Sequence, residues 1–291
     1  MFSRRQINRA MLLAPLAGLL AGTARAESTL ERLQQLERDS GGRLGVAVLD
    51  TGDGRCFGLR EDERFPLCST FKLLLAACIL ARVDRGEEQL ARRIVYGQAD
   101  LVEYSPVSER HVGQPGMSVA ELCEAAITLS DNGAANLLLA SLGGPTGLTD
   151  WLRSTGDGVS RLDRNEPTLN QALPGDPRDT STPRAMVATL QRLLLGDVLQ
   201  AASRDQLNAW LAANKTGDKR IRAGLPTGWK VGDKTGTGER GTSNDVAILR
   251  PPGRAPILVA AYLTGSPAPA EKRDALLAEV GRLAAGLVEQ P

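Results

Sequence analysis

Strand character falls in two blocks separated by a long helical stretch, and that interruption constrains the fold more than any other feature of the chain. Leu44–Leu49 and Arg55–Leu59 read as two strands joined by the turn Thr51-Gly52-Asp53-Gly54. Strand pattern returns only at Trp229–Thr237, Ser243–Leu249 and Ile257–Thr264, with turns at Glu239-Arg240-Gly241 and Pro251–Arg254. From about Thr70 to Leu211 the pattern is helical segments divided by Gly, Pro and Asp loops. Within it Ser118-Val119-Ala120-Glu121 is a capping box, preceded by Met117 as the staple residue. Leu30, Leu33 and Leu36 form a helical stripe ended by Gly41-Gly42, and Ala270–Leu287 is an amphipathic helix. The two strand blocks are therefore predicted to be halves of one sheet. The fold class is α+β: a five-stranded antiparallel sheet flanked by the N- and C-terminal helices, plus an all-α domain, with a site in the cleft between them. Residues 27–62 and 213–291 would supply the sheet domain and 63–212 the helical one, including a loop over 161–179.

The first 26 residues stand apart from this plan. They carry Arg4, Arg5, Arg9 and Arg25 and no acid, around the apolar run Ala10–Ala24. Pro15, Gly18 and Gly22 interrupt that run, which ends at the small-x-small site Ala24-Arg25-Ala26, so it reads as a secretory signal peptide and not a membrane span. Ser3-Arg4-Arg5 is similar to a twin-arginine export motif that Gln6-Ile7-Asn8 follows only in part; a Sec signal with two arginines is the alternative. Either route predicts a periplasmic or secreted protein with no membrane attachment after cleavage. Loss of those four arginines takes the formal charge from +1 to −3. No basic footprint is left to neutralise phosphates, so a nucleic-acid partner is not expected.

The chain has one histidine and six lysines. A single histidine excludes His₂ and His₃ zinc sites unless Cys or carboxylates replace them, and any Ser-His-Asp triad would have to use His111. No metal or cofactor is expected. Scarce lysines give weight to lysine motifs. Ser69-Thr70-Phe71-Lys72 leads into the apolar helical run Phe71–Arg82, which sets Ser69 at a helix N-terminus with Lys72 one turn on, on the same face. There the amine can reach the hydroxyl and the helix end favours developing negative charge; a serine cap beside a snorkelling lysine is the plainer reading. Ser130-Asp131-Asn132 lies at a helix–helix junction, either as an ordinary cap cluster or as a relay hydroxyl and a carbonyl-binding amide. Lys-Thr-Gly occurs twice. Lys215-Thr216-Gly217 falls in a polar loop, whereas Lys234-Thr235-Gly236 sits on a strand whose alternation fixes its side chains, and the second suits a carboxylate-binding role. Gly236-Thr237-Gly238-Glu239-Arg240-Gly241 has the spacing of a dinucleotide fingerprint, but a strand follows it where a helix is needed, so it is a hairpin turn. The aperiodic loop 161–179 holds Glu166 and Asn170, which together can hold a water, and Arg164 and Asp179, which can clamp its neck. Alone, Glu166 would be read as a solvated acid.

In this order the four motifs resemble those of the class A serine β-lactamases, from about residue 27 to the C-terminus. Val102-Glu103-Tyr104-Ser105-Pro106, Arg161-Leu162-Asp163-Arg164 and residues 214–226 share the resemblance. It implies Ser69 as the nucleophile that opens a β-lactam, Lys72 as its activating partner, and Ser130 as the proton donor to the lactam nitrogen. It implies Glu166 with Asn170 as the pair that activates the deacylating water, leaving open whether Lys72 or Glu166 is the acylation base. The N–H groups of Ser69 and Thr237 would form an oxyanion hole. Lys234, Thr235, Gly236 and Thr237 would bind the substrate carboxylate, Asn132 the acylamino carbonyl, and Tyr104 would flank the cleft of a monomeric enzyme acting on small β-lactams.

The chain departs from the family in places. Ser243 stands where many members have arginine, and Arg220 is assigned the compensating role. Cys68 matches a carbapenem-hydrolysing branch whose disulfide partner position is Gly238 here, so that activity is not implied. Cys123 matches half of another family disulfide, but Cys78 is two residues from the partner position Ala76, about 200° round a helix, which leaves that bridge open. Cys56 and Cys68 are expected as buried thiols. A D,D-peptidase would lack Glu166 and Asn170, and a β-lactam sensor domain would have a membrane tether.

Overall fold

The structure, a computed structural model, describes residues 28–287, so the expected signal segment lies outside it. Helix α1 covers residues 28–40 and is followed by the hairpin of β1 (Arg43–Asp50) and β2 (Cys56–Leu59). Six longer helices come next: α2 (Phe71–Asp84), α3 (Val119–Thr128), α4 (Asn132–Ser141), α5 (Pro145–Ser154), α6 (Pro183–Leu194) and α7 (Ala201–Ala212). Strands β3 (Lys230–Gly238), β4 (Thr242–Arg250) and β5 (Ile257–Thr264) and helix α8 (Ala270–Ala285) complete the chain.

The five strands form one antiparallel sheet in the order β2-β1-β5-β4-β3. β1 pairs along its whole length with β5, from Arg43↔Thr264 to Asp50↔Ile257, and this joins the two strand blocks. Period-two alternation divides the burial. Val46, Val48, Val259 and Ala261 pack with Leu33 and Leu36 of α1 and Leu276, Leu277 and Val280 of α8. Ala47, Val246, Ile248, Leu258, Ala260 and Tyr262 face the helical core. α2 runs through that core with Phe71 to Ala81 all buried, which is why its sequence is apolar on every side. The capping box closes as expected: Ser118 Oγ accepts from Glu121 N at 3.2 Å, and Glu121 Oε2 accepts from Ser118 N at 2.7 Å.

The helical stretch is not purely helical. Phe65–Pro66 pairs with Thr180–Ser181, and Arg93–Ile94 with Met117–Ser118. Two-residue strands are too short to show periodicity, but the first ladder ties the base of loop 161–179 to the body. All four cysteines are free; Cys68, Cys78 and Cys123 are buried, and burial pushes the Cys78 thiol up to about 12. Cys56 is exposed and not buried as expected, because it opens β2, the outer edge strand. Among the described residues no helix is long and apolar enough to cross a membrane.

Candidate active site

Ser69 lies in a 3₁₀ turn, Cys68–Thr70, that runs directly into α2, with Lys72 one turn further on as expected. Cys68 is left-handed at φ 44°, a strained conformation for a residue with a side chain, and Tyr104 and Ser130 are left-handed too. Such strain persists where the surrounding structure over-determines the backbone, and these three positions bracket one cleft of about 600 Å³. Ser69, Ser130, Asn132, Asn170, Arg220, Thr235 and Thr237 line it, and Tyr104 stands at its edge, 56% exposed.

Lys72 is fully buried behind the nucleophile. Its Nζ lies 3.0 Å from Ser69 Oγ, donates to Ser130 O at 2.7 Å and Asn132 Oδ1 at 2.6 Å, and pairs with Glu166 Oε1 at 3.1 Å. The last three are pure acceptors, which matches the three N–H bonds of an ammonium. Burial pulls the Lys72 pKa below the ordinary lysine value, while the Glu166 carboxylate pulls it back up. Glu166, 3% exposed, accepts from Ser69 Oγ at 3.2 Å and from Asn170 Nδ2 at 2.5 Å. It is not the solvated acid that its loop position alone would suggest.

The loop that carries Glu166 is clamped as expected. Arg164 Nε donates to Asp179 Oδ2 at 2.6 Å, and Asp179 Oδ1 accepts the amides of Asp163 and Arg164 at 2.7 and 2.9 Å. Asn136 is a site residue that none of the motifs includes: its amide accepts from Glu166 N at 3.0 Å and donates to Glu166 O at 2.9 Å. It sits one turn beyond Asn132 on α4, on the same face, and that spacing is the sequence signal that could find it.

At the junction of α3 and α4 the cap cluster is present, and Ser130 and Asn132 also line the cleft. Asp131 caps α4 through Ala134 N and also accepts from the amides of Val107 and Ser108 and from Ser108 Oγ. Ser130 Oγ accepts from Lys234 Nζ at 3.0 Å and lies 3.4 Å from Lys72 Nζ. Asn132 Nδ2 donates to Glu103 O at 2.9 Å, which leaves its second N–H for a ligand.

β3 forms the opposite wall. A Cβ on Gly236 would lie 2.9 Å from Leu67 O, so only glycine lets the strand rest against the turn that bears Ser69. Lys234 is fully buried; burial first and the Lys72 charge second pull its pKa well below the ordinary value. Arg220 lies behind β3: Nη2 donates to Thr237 Oγ1 at 2.8 Å, Nη1 donates to Gly236 O and Asn244 O at 2.8 and 2.7 Å, and Nε pairs with Asp274 at 2.8 Å. Ser243, where the resemblance looks for arginine, is buried and accepts from Arg273 Nε at 3.0 Å. Gly238 neighbours Cys68, since a Cβ there would lie 2.6 Å from its Sγ. Glu239, Arg240 and Gly241 form the hairpin turn between β3 and β4, so no dinucleotide loop is present there. His111 is exposed on the 3₁₀ turn Ser108–His111.

The model of the beta-lactamase enzyme family matches residues 28–288. The chain is 55% identical over 252 residues to Beta-lactamase AST-1 of Nocardia asteroides, covering 87% of this chain and 81% of that protein. It superposes on a solved ancestral (GNCA) class A beta-lactamase with a TM-score of 0.88 and 68% identity, over 89% of this chain and 99% of that one. The last common ancestor of Gram-negative bacteria (GNCA4) class A beta-lactamase is similar at the same TM-score, 0.88, and 68% identity, over 90% and 100% of the two chains.

Proposed function

The chain belongs to the β-lactamase enzyme family, class A, and from that premise we propose that it hydrolyses the β-lactam amide of penicillins and cephalosporins and so confers resistance to them. The observation that carries the reading is the contact of Ser69 Oγ with both Lys72 Nζ, at 3.0 Å, and Glu166 Oε1, at 3.2 Å. Ser69 Oγ attacks the lactam carbonyl while its proton passes to Glu166. The N–H groups of Ser69 and Thr237 take the developing oxyanion, one such donor being worth about 3–4 kcal/mol. As the C–N bond breaks, Ser130 gives its proton to the nitrogen and is resupplied by Lys72. Glu166 then returns the Ser69 proton to Lys72 across 3.1 Å, so that an acyl-enzyme stands beside an ammonium and a free carboxylate.

For deacylation, Glu166 and Asn170 hold a water between them; Glu166 takes its proton as it attacks the ester and passes that proton to Ser69. A charged lysine and a carboxylate thus replace the histidine of a triad. Lys234, Thr235, Gly236 and Thr237, with Arg220 behind Thr237, bind the substrate carboxylate; Asn132 binds the acylamino carbonyl and Tyr104 flanks the entrance. The enzyme is read as a monomer, exported to the periplasm or medium once residues 1–26 are removed.

The test is hydrolysis of a penicillin and a chromogenic cephalosporin by the purified chain from residue 27 onward. Sustained turnover is expected. A single stoichiometric burst, as a peptidase or a sensor would give, or no reaction at all, refutes the reading.

A further inference from the structure

The first Lys-Thr-Gly, Lys215-Thr216-Gly217, has no part in the machinery above, yet it docks against the second. Any Cβ on Gly217 would overlap Asp233 Oδ2, so the loop lies against β3 only with glycine there. Thr216 is half-buried, lines the cleft beside Thr235, and its Oγ1 is 2.5 Å from Thr235 Oγ1.

Three contacts set the direction of that bond. Asn214 Nδ2 donates to Asp233 Oδ2 at 2.5 Å, which fixes the orientation of the amide. Its Oδ1 can only accept, and it takes both the Thr216 amide at 3.1 Å and the Thr216 hydroxyl at 2.9 Å. A hydroxyl has one proton. With the Thr216 proton committed to Asn214, the proton between the two threonines is Thr235's. Thr237 is the contrast: its Oγ1 accepts from Arg220 Nη2, which leaves its own proton for the cleft.

We propose that Thr216 is a positioning residue of the carboxylate subsite, drawing the Thr235 proton away from the cleft so that Thr235 offers lone pairs to an anion unless both hydroxyls turn together. Recognition of a carboxylate through Thr235 then requires Thr216 to leave Asn214 and donate to Thr235; Asn214 Oδ1 keeps the Thr216 amide throughout. The proposal rests on the function proposed above, that this wall binds a β-lactam carboxylate.

Thr216→Val keeps the shape and removes the hydroxyl, which frees the Thr235 proton for the ligand. For a carboxylate-bearing cephalosporin, KM should fall about 3- to 10-fold, the size of one net hydrogen bond, with the change on KM and not on kcat. The neutral ester of the same cephalosporin should show no such shift, and Thr216→Ser should restore the wild-type KM. Thr216→Ala reads the same effect should the valine variant fold poorly. An unchanged or raised KM, or an equal shift with the ester, overturns the proposal. Wild-type turnover measured alongside separates the two readings: its absence refutes the function, while turnover with an unchanged KM refutes the role of Thr216 alone.

Discussion

Asp179→Asn should loosen the loop that carries Glu166 without unfolding the sheet. Asp179 is wholly buried and accepts three bonds, from the amides of Asp163 and Arg164 and from Arg164 Nε. The asparagine oxygen keeps the two amides, but its NH₂ then faces the Arg164 N–H, donor against donor. Removing one partner of a buried pair costs about 3–5 kcal/mol. Arg164 retains Gln171 Oε1 at 2.7 Å and its side chain is 16% exposed, which places the cost near the lower end, about 3 kcal/mol. That is roughly a 100-fold shift toward the open loop. Hydrogen exchange should show amides of 161–179 exchanging about 100-fold faster while those of β4 and β5 keep their protection. Because Glu166 and Asn170 ride on the loop, acyl-enzyme should also persist on Ser69, seen by intact mass. Unchanged exchange in the loop, or a uniform rise across the sheet, would refute the argument that the clamp acts locally.

Three further outcomes follow from the site. Glu166→Ala should accumulate acyl-enzyme on Ser69, and normal steady-state turnover by that variant would show that Glu166 is not the deacylation base. Arg220→Ala should lower kcat/KM for carboxylated substrates by about 10- to 100-fold, the worth of a charge-assisted hydrogen bond; unchanged kinetics would reject its place behind Thr237. Asp245 is buried with Oδ1 unpartnered, and burial together with the neighbouring Asp233 raises its pKa well above the ordinary value. The folded state therefore holds its proton more tightly. The stability this lends is full below the unfolded carboxylate range and is lost as pH rises through the raised value, at about 1.4 kcal/mol for each pH unit between the two. Asp245→Asn should thus raise the melting temperature relative to wild type at pH 8 and lose that advantage at pH 4; parallel curves would refute it.

What the sequence makes legible is what local chemistry dictates. The Ser69–Lys72 spacing needs only a helical turn, the Ser118 capping box is self-contained, and the strand setting of Lys234 follows from alternation. The illegible features depend on distant chain. No propensity places Cys68, Tyr104 and Ser130 in left-handed conformations, because tertiary contacts hold them there. Thr216 reads as an ordinary loop residue, since its partner Thr235 is fixed only when the loop after α7 lies on β3. Cys56 reads as buried because edge and interior strands look alike over four residues.

Arg32 of α1 bonds Glu279 of α8 across 247 residues of chain. Bringing such distant points together costs about 5 kcal/mol of loop entropy, beyond a constant. β1 and β2 are the first strands synthesised, yet β1 gains its long partner only when β5 is complete. A two-stranded hairpin is at best marginal by itself, and α2, buried along most of its length, needs the much later α7 as well as α3 to cover it. The nucleophile therefore emerges early and waits for a wall that is made late. Any chain ending before β5 would carry Ser69, Lys72 and Glu166 without a formed subsite opposite them, so the capacity to react arrives only with the last strand.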